Sequence, residues 1–162
     1  MPRLLVVHHS PTPVVRELTR AVLAGAHDDA IEGVEVVERA ALQATADDVL
    51  GADGYLLGTP ANFGYMSGAL KHFFDTIFLD AGGALSDDGS ASPSTGGRKP
   101  YGLWVHGRYD TTGAVRSVAT IVQALPWVQS AQVVEVVGDV TEEHTASAYE
   151  LGATIAALLA EG

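Results

Sequence analysis

The chain has no cysteine among its 162 residues. Disulfide bonds, thiolate metal sites and cysteine nucleophiles are therefore excluded. Basic residues are also scarce: nine lysines and arginines stand against twenty aspartates and glutamates, and the formal net charge is −11. Because binding to a phosphate backbone needs a concentrated basic face, this balance argues against a nucleic-acid partner. It still allows one bound phosphate, which backbone amides at a helix start can hold without lysine.

Long apolar runs are missing as well. No segment approaches membrane-spanning length, and the apolar run after Met1 is too short for the core of a secretory signal. We therefore expect no membrane partner and a cytoplasmic location. The apolar share of 47% with 18% charged residues is typical of a folded protein with a core. The length predicts a single domain over residues 1–162.

Short β-branched runs alternate with helical periods, which is typical of an α/β sheet. Strands are predicted over Arg3–His8, Val34–Glu38, Asp53–Leu57, Tyr101–His106 and Gln132–Val137. The first, third and fourth are apolar in their middles, as strands covered on both faces are. The second and fifth carry glutamates, as sheet edges often do. The pattern favours a doubly wound, five-stranded parallel sheet in the order 2-1-3-4-5, with helices on both faces.

Apolar residues at three- and four-residue spacing predict the helices. The first begins after Thr12, which is predicted as its N-cap and is followed by proline. A short helix is predicted near Ala46–Leu50, and longer ones contain the stripes Leu70–Phe78 and Val115–Val122. The last is predicted from about Thr141 to Ala160.

Residues 80–97 interrupt this alternation, because they are rich in glycine, serine and aspartate and contain almost no apolar side chain. They predict a long surface loop between the second long helix and the fourth strand. A loop of this length is usually either a functional lid or a mobile excursion, and the composition favours the excursion.

Three loops leave the carboxyl ends of the first, third and fourth strands: His9–Val14, Gly58–Gly68 and His106–Gly113. In the predicted order these strands are neighbours, so the loops meet at the topological switch point, where ligands bind in such sheets. The first loop offers two hydroxyls and the amides of a helix N-terminus, which are the parts of a phosphate site. Helix capping alone would also account for this loop.

Other uses of this topology lack their residues. A phospho-acceptor receiver domain needs acids after the first strand and an aspartate ending the third, where this chain has His8-His9 and Gly58-Thr59. No Gly-x-x-x-x-Gly-Lys loop, no Gly-x-Gly-x-x-Gly fingerprint after the first strand and no Gly-x-Ser-x-Gly elbow is present. We also expect no metal site, because His8, His9 and His106 would need an ordered further ligand such as Asp110.

The second loop carries a more specific pattern. Thr59-Pro60 follows a central strand, a small-residue turn leads on, and a helix begins with Leu70-Lys71-x-Phe73-x-Asp75. This segment resembles the flavin-contacting segment of the flavodoxin-like NAD(P)H-dependent FMN reductases and quinone reductases. The resemblance extends over nearly the whole chain in the order of elements and is concentrated at residues 58–75. It implies a flavodoxin-like fold.

The resemblance also implies FMN as the cofactor and places it at the three loops. Its phosphate would be held by Ser10, Thr12, Pro13 and Val14. Its isoalloxazine ring would lie along Thr59, Pro60, Ala61, Asn62, Phe63 and Gly64. The pyrimidine edge would be contacted by the third loop, through His106, Gly107, Tyr109 and Asp110.

By the same resemblance, the chain is expected to be an FMN-dependent oxidoreductase that takes electrons from NADPH or NADH and passes them to a quinone, a flavin or another small acceptor. Because the flavin carries the chemistry, no catalytic side chain is named. Many members of the group form homodimers or larger homo-oligomers, so a homodimer or tetramer is expected, and Tyr65, Phe78 and Tyr109 are candidate interface residues.

Two alternatives stay open. Strong acidity favours a flavodoxin-type electron carrier without a nicotinamide site. The segment Pro11-Thr12-Pro13-Val14 differs from the Thr-Gly-Asn-Thr phosphate loop of flavodoxins and favours a fold relative that has lost flavin.

Overall fold

The strands and helices come from a computed structural model, which describes residues 1–82, 84–85, 91–92 and 98–162. The described residues form nine strands and five helices. The strands are β1 (Arg3–His8), β2 (Glu35–Ala40), β3 (Gly54–Asn62), β4 (Tyr65–Met66), β5 (Ala84–Leu85), β6 (Ala91–Ser92), β7 (Lys99–Gly107), β8 (Trp127–Gln129) and β9 (Val134–Val137). The helices are α1 (Pro13–Ala26), α2 (Ala46–Leu50), α3 (Gly68–Ile77), α4 (Thr112–Val122) and α5 (Glu142–Glu161).

The main sheet is parallel through β2, β1, β3 and β7, in that order. The other edge of β7 pairs with two short strands: β8 lies beside Lys99–Tyr101, and β9 lies beside Trp104–Gly107. Together β8 and β9 occupy the fifth position. The predicted order 2-1-3-4-5 is therefore confirmed, with the difference that the fifth strand is divided in two.

The helices cover both faces of the sheet. On one face, α1 and α5 pack with the side chains of Leu4, Val6 and Leu56. On the other, α2, α3 and α4 pack with Leu5 and Leu57 among others. Consecutive strand residues point to opposite faces, and both faces are buried, so the central strands are apolar throughout. This explains why the unbroken apolar runs identified them correctly.

The prediction that the third strand ends at Leu57 was wrong. The sequence Gly58-Thr59-Pro60 has the composition of a loop, yet it continues the strand and pairs with Trp104–His106 of β7. Tertiary pairing with a long neighbouring strand outweighs the low strand propensity of glycine and proline. β3 and β7 therefore extend two pairs beyond the end of β1 at His8.

Within the predicted loop over residues 80–97, β5 and β6 form an antiparallel pair, with Ala84 opposite Ser92. The rest of that prediction falls on residues 83, 86–90 and 93–97, which lie outside the described residues. No helix in the described part of the chain has the length and apolar character needed to cross a bilayer.

Candidate functional site

The three predicted loops are linked to one another at the carboxyl edge of the sheet. The amide of His9 donates to the carbonyl of Gly58 at 3.0 Å, which ties the end of β1 to β3. β3 then turns back into β4, and the carbonyl of Gly64 in that turn lies against Gly113, the second residue of α4. A Cβ at Gly113 would come within 2.0 Å of that oxygen. Only glycine permits this approach, so the second and third loops are in direct contact.

The loop His9–Val14, here called the phosphate-side loop, has its hydroxyls engaged within the chain. Ser10 Oγ lies 2.8 Å from His8 Nδ1 and 2.7 Å from Thr19 Oγ1. Thr12 Oγ1 accepts the amide of Val15 at 3.4 Å and caps α1. Arg16 Nη1 donates to the carbonyl of Ser10 at 3.4 Å, which places a guanidinium beside the loop. The loop thus has a cation as well as a helix N-terminus for an anion to meet.

The segment Ala61–Met66 forms a β-hairpin with a two-residue turn, here called the hairpin. Its central residues, Phe63 and Gly64, both have positive φ values, 51° and 76°. This is the pattern of a type I′ turn, which suits the twist of paired strands. A bulky residue such as phenylalanine is strained at positive φ. The Phe63 side chain is fully exposed and packs against nothing in the described chain, so packing does not explain the strain.

The base of the hairpin is fixed by buried hydrogen bonds. Thr59 has no exposed surface, and its Oγ1 donates to the carbonyl of Pro60 at 2.8 Å and accepts the amide of Ser67 at 2.9 Å. Ser67 Oγ in turn accepts the amide of Leu70 at 3.2 Å and caps α3. The strained, exposed tip therefore stands on a rigid base.

The third loop is held by its neighbours on both sides. His106 Nε2 donates to the carbonyl of Gly138 at 2.7 Å. Asp110 Oδ1 accepts the amide of Thr112 at 3.0 Å, and this backbone hydrogen bond lowers the pKa of the Asp110 carboxyl below its usual value. Tyr109, which lies between them in the sequence, has 89% of its surface exposed. Like Phe63, it is an aromatic residue that is almost fully exposed at this edge.

In the part of the chain that the structure describes, one buried side-chain nitrogen at the site has no hydrogen-bond partner. Among the described residues, Trp104 Nε1 is buried and makes no hydrogen bond. The indole lies over Gly58, in the same row of the sheet as His8, and the His8 and Trp104 ring centroids are 6.4 Å apart. Buried donors are nearly always paired in folded proteins. An unpaired donor at the edge where the loops meet is consistent with an acceptor supplied from outside the chain.

The predicted site residues are placed by the structure in three groups. Exposed at the edge are Thr12, Pro13, Asn62, Phe63, Tyr109 and Asp110. Partly buried are Ser10, Val14, Ala61, Gly64 and His106. Buried, and so able to act on a ligand only through backbone or packing, are Thr59, Pro60 and Gly107. Their contacts with FMN stay predictions.

Sequence reasoning missed the residues that support these. Arg16 and Thr19 contact the phosphate-side loop, and Glu38 contacts His8, the residue before the loop. The ring centroid of Trp104 lies 6.4 Å from that of His8. The i to i+6 spacing of Ser10 and Arg16 across a helix start was available as a signal. The contact between Trp104 and His8 depends on strand register, and no signal in the sequence indicated it.

The chemistry of the edge suits a flat ring with an anionic tail, which is the shape of FMN. The tail would meet hydroxyls, amides and a guanidinium, and the ring would meet the hairpin and Tyr109. These residues therefore fit the predicted cofactor.

The model of the NADPH-dependent FMN reductase family matches residues 14–135. The match covers more than half of the chain, and the chain belongs to this family of oxidoreductases. The resemblance identified from residues 58–75 is thereby confirmed.

Two curated relatives agree with this assignment. The chain is 35% identical over 85 residues to a flavodoxin of Aquifex aeolicus, covering 52% of this chain and 45% of that protein. It is 28% identical over 132 residues to an NAD(P)H dehydrogenase (quinone) of Acidithiobacillus ferrooxidans, covering 69% of this chain and 62% of that protein. In both cases the match spans less than two thirds of the relative's length.

Among solved structures, a flavodoxin from the domain Archaea superposes with a TM-score of 0.76 at 14% identity, covering 99% of each chain. At this identity the likeness concerns the fold alone. The predicted flavodoxin-like fold is confirmed.

Proposed function

We propose that this protein binds FMN at the carboxyl edge of its sheet and passes electrons from NADPH or NADH to a quinone or another small acceptor. The observation that carries the proposal is the hairpin: a strained, fully exposed Phe63 on a base fixed by Thr59 and Gly113. Strain of this kind persists where the surrounding structure over-determines it, and it is concentrated at ligand sites. The family match supports FMN as the cofactor.

At the phosphate-side loop, the amides of Val14 and Val15 and the hydroxyls of Ser10 and Thr12 would bind the phosphate of FMN. The positive end of the α1 dipole and the Arg16 guanidinium would favour its negative charge. Pro11 and Pro13 lack amide hydrogens, so this loop has fewer donors than a loop without prolines.

At the hairpin, the backbone of Ala61–Gly64 and the Asn62 side chain would orient the ring. Phe63 and Tyr109 would lie at its margin and control access from solvent. When bound, FMN supplies the hydride-transfer chemistry, and the protein supplies orientation and electrostatics. No side chain of the site is required as a general base.

The proposal is tested by titrating the purified protein with FMN and following flavin fluorescence. We expect saturable quenching, followed by NADPH oxidation that speeds up when a quinone is added. No quenching up to about 100 µM FMN, well above the range of a useful cofactor affinity, would overturn the proposal. That result would instead support a fold relative without flavin, for which the two prolines of the phosphate-side loop are the main argument.

A second candidate is a flavodoxin-type electron carrier without a nicotinamide site. It is favoured by the net charge of −11 and by the similarity to a flavodoxin of Aquifex aeolicus. Saturable FMN binding without oxidation of NADPH or NADH would identify the carrier. Oxidation of either nucleotide at a rate that depends on bound FMN would exclude it.

We also propose that the protein is a homodimer or tetramer in which the exposed aromatics at this edge are covered by a second copy. Tyr65 and Tyr109 are exposed and could be buried in this way, whereas Phe78 packs partly against the core of its own chain. Sedimentation measurements on the wild type and on Tyr109→Ser test this. A monomer in both would contradict it.

A further inference from the structure

His8 is held between a carboxylate and the phosphate-side loop. Its Nε2 lies 2.7 Å from Glu38 Oε2 on β2, and its Nδ1 lies 2.8 Å from Ser10 Oγ. The imidazole is mostly buried, with 14% of its side chain exposed, whereas the Glu38 side chain is half exposed. The family resemblance gave His8 no role, yet both of its ring nitrogens are committed.

The hydrogens in this chain of contacts can be counted. Because the Glu38 carboxylate only accepts, the His8 nitrogen that faces it carries a proton. When His8 is neutral, Nδ1 is then an acceptor, and it takes the single hydroxyl proton of Ser10. When His8 is doubly protonated, Nδ1 becomes a donor to Ser10 Oγ. The Ser10 proton is then free to point elsewhere.

Thr19 gives the released proton an alternative acceptor within the chain. Its own hydroxyl donates to the carbonyl of Val15 at 3.0 Å, so its oxygen can accept from Ser10 at 2.7 Å. A phosphate oxygen beside Ser10 would compete for the same proton. A charged acceptor forms the stronger hydrogen bond of the two.

We propose that His8 is a positioning residue for phosphate binding: its imidazolium, paired with Glu38, directs the Ser10 hydroxyl toward the phosphate of the cofactor. This inference rests on the proposed function, in which FMN places its phosphate at the phosphate-side loop. Protonation of His8 and binding of a phosphate-bearing flavin then favour each other, as linkage requires.

The charged groups around His8 act in a consistent direction. Glu38 from β2 places a carboxylate oxygen 2.7 Å from Nε2 of the imidazole. Arg16 from α1 reaches the carbonyl of Ser10, and its charge would favour the phosphate. Arg39 is turned to Asp48, 3.4 Å from its carboxylate, and Trp104 from β7 is uncharged. His9 is the first residue of the loop, and in the described residues its side chain makes no hydrogen bond to Ser10.

The test compares FMN with riboflavin, which lacks the phosphate, between about pH 5.5 and 8.5, where histidine changes charge. We expect the preference of the wild type for FMN to fall roughly tenfold as pH rises, relative to a variant that cannot titrate at this position. The second ionisation of the FMN phosphate acts in the opposite direction, and for unbound FMN it is the same in the titration of every variant.

Three variants isolate the histidine. In His8→Asn, the side-chain amide can donate to Ser10 at every pH. The preference for FMN over riboflavin should then no longer show the fall with rising pH that depends on the histidine. In Glu38→Gln, the partner charge is gone and the fall should move to lower pH. Glu35→Gln makes the same change on the same strand, at an exposed pair with Arg3 far from the loop, and should leave the profile unchanged.

A second readout follows the protonation of the histidine directly. NMR of the imidazole nitrogens should show that FMN raises the pH at which His8 loses its proton, while riboflavin does not. FMN binding with identical pH profiles in the wild type, His8→Asn and Glu38→Gln, or an unchanged His8 titration, would overturn this inference alone. Absence of FMN binding at every pH would overturn the proposed function and this inference with it.

Discussion

The phosphate-side loop and the hairpin are neighbours at the carboxyl edge of the sheet, but they satisfy their polar groups differently. In the loop, the hydroxyls of Ser10 and Thr12 are already bonded within the chain, and two of the residues are prolines. In the hairpin, the bonds lie beneath the tip, at Thr59 and Ser67, while Asn62 and Phe63 face outward.

This difference predicts how the binding energy would be divided. A phosphate must exchange hydrogen bonds that the loop already makes, and an exchange of this kind contributes little net free energy. The hairpin is fixed before a ring arrives, and a pre-organised contact loses less entropy on binding. We therefore expect the ring to contribute more than the phosphate at neutral pH. FMN and riboflavin affinities should then differ by less than about tenfold.

Gly113→Ala should have the largest effect, because it displaces the hairpin that is proposed to contact the flavin ring. The new Cβ would lie 2.0 Å from the carbonyl oxygen of Gly64, which is backbone and cannot rotate away. The hairpin must move, and overpacking of this kind costs about 1–3 kcal/mol. We expect FMN affinity to fall roughly 10- to 100-fold in fluorescence titrations.

Gly68→Ala is the matched control for this change. Gly68 is also at the start of a helix, and its Cβ would meet nothing within 4 Å. Its affinity for FMN should equal that of the wild type. If Gly113→Ala also bound FMN normally, the hairpin would have no part in the site.

Thr59→Val should weaken the base of the hairpin. The substitution keeps the shape of the side chain but leaves the buried amide of Ser67 without its acceptor. An unsatisfied buried donor costs about 1–3 kcal/mol. The free energy of unfolding in urea should fall by that amount. Thr59→Ser keeps the hydroxyl and should retain most of the stability, and an equal loss in both variants would assign the effect to packing instead.

Phe63→Gly should separate the effect of backbone strain on stability from the effect of the phenyl ring on FMN binding. Glycine adopts positive φ without strain, and the ring of Phe63 is fully exposed, so the free energy of unfolding should rise by about 0.5–1 kcal/mol. Phe63→Ala keeps the Cβ and therefore the strain, and should gain no stability. Both variants lose the ring and should bind FMN a few-fold more weakly, by about the 0.5–1.5 kcal/mol of one aromatic contact. Unchanged FMN binding in both would remove Phe63 from the site.

Much of the fold could be predicted because both faces of the sheet are covered. Strand β1 was predicted with its correct bounds because its middle is apolar, and α2 was predicted close to its observed position. The division of the fifth strand could not be predicted. Trp127 stacks on Tyr55, with ring centroids 3.9 Å apart, and this long-range contact holds β8 in place.

The candidate site was less predictable than the fold. The three loops were found because strand order brings strand ends together, and their residues have the composition of a ligand site. The row His8, Gly58 and Trp104 was not found, because it exists only once three strands are in register. A glycine in the middle strand leaves room for the indole, and nothing near Gly58 in the sequence indicates which side chain fills it.

Asp110→Asn should give the smallest effect, and it concerns the third loop, which adjoins the hairpin. The amide of Thr112 lowers the pKa of the Asp110 carboxyl in the folded protein, so the unfolded chain takes up the proton first as pH falls. The stabilisation is therefore complete above the unfolded value of 3.8 and is lost as pH falls through the lower, folded value. Asparagine keeps an acceptor for Thr112 without the charge.

Thermal midpoints of the wild type and Asp110→Asn should differ slightly at neutral pH, in favour of the wild type, and should converge in acid. Because the carboxylate is fully exposed, added salt should also reduce the difference. A gap that stays constant as pH falls would mean that Asp110 holds the start of α4 through its shape alone. The conformation of the hairpin and the third loop would then be attributed to the contacts of Thr59 and Gly113 and not to charge.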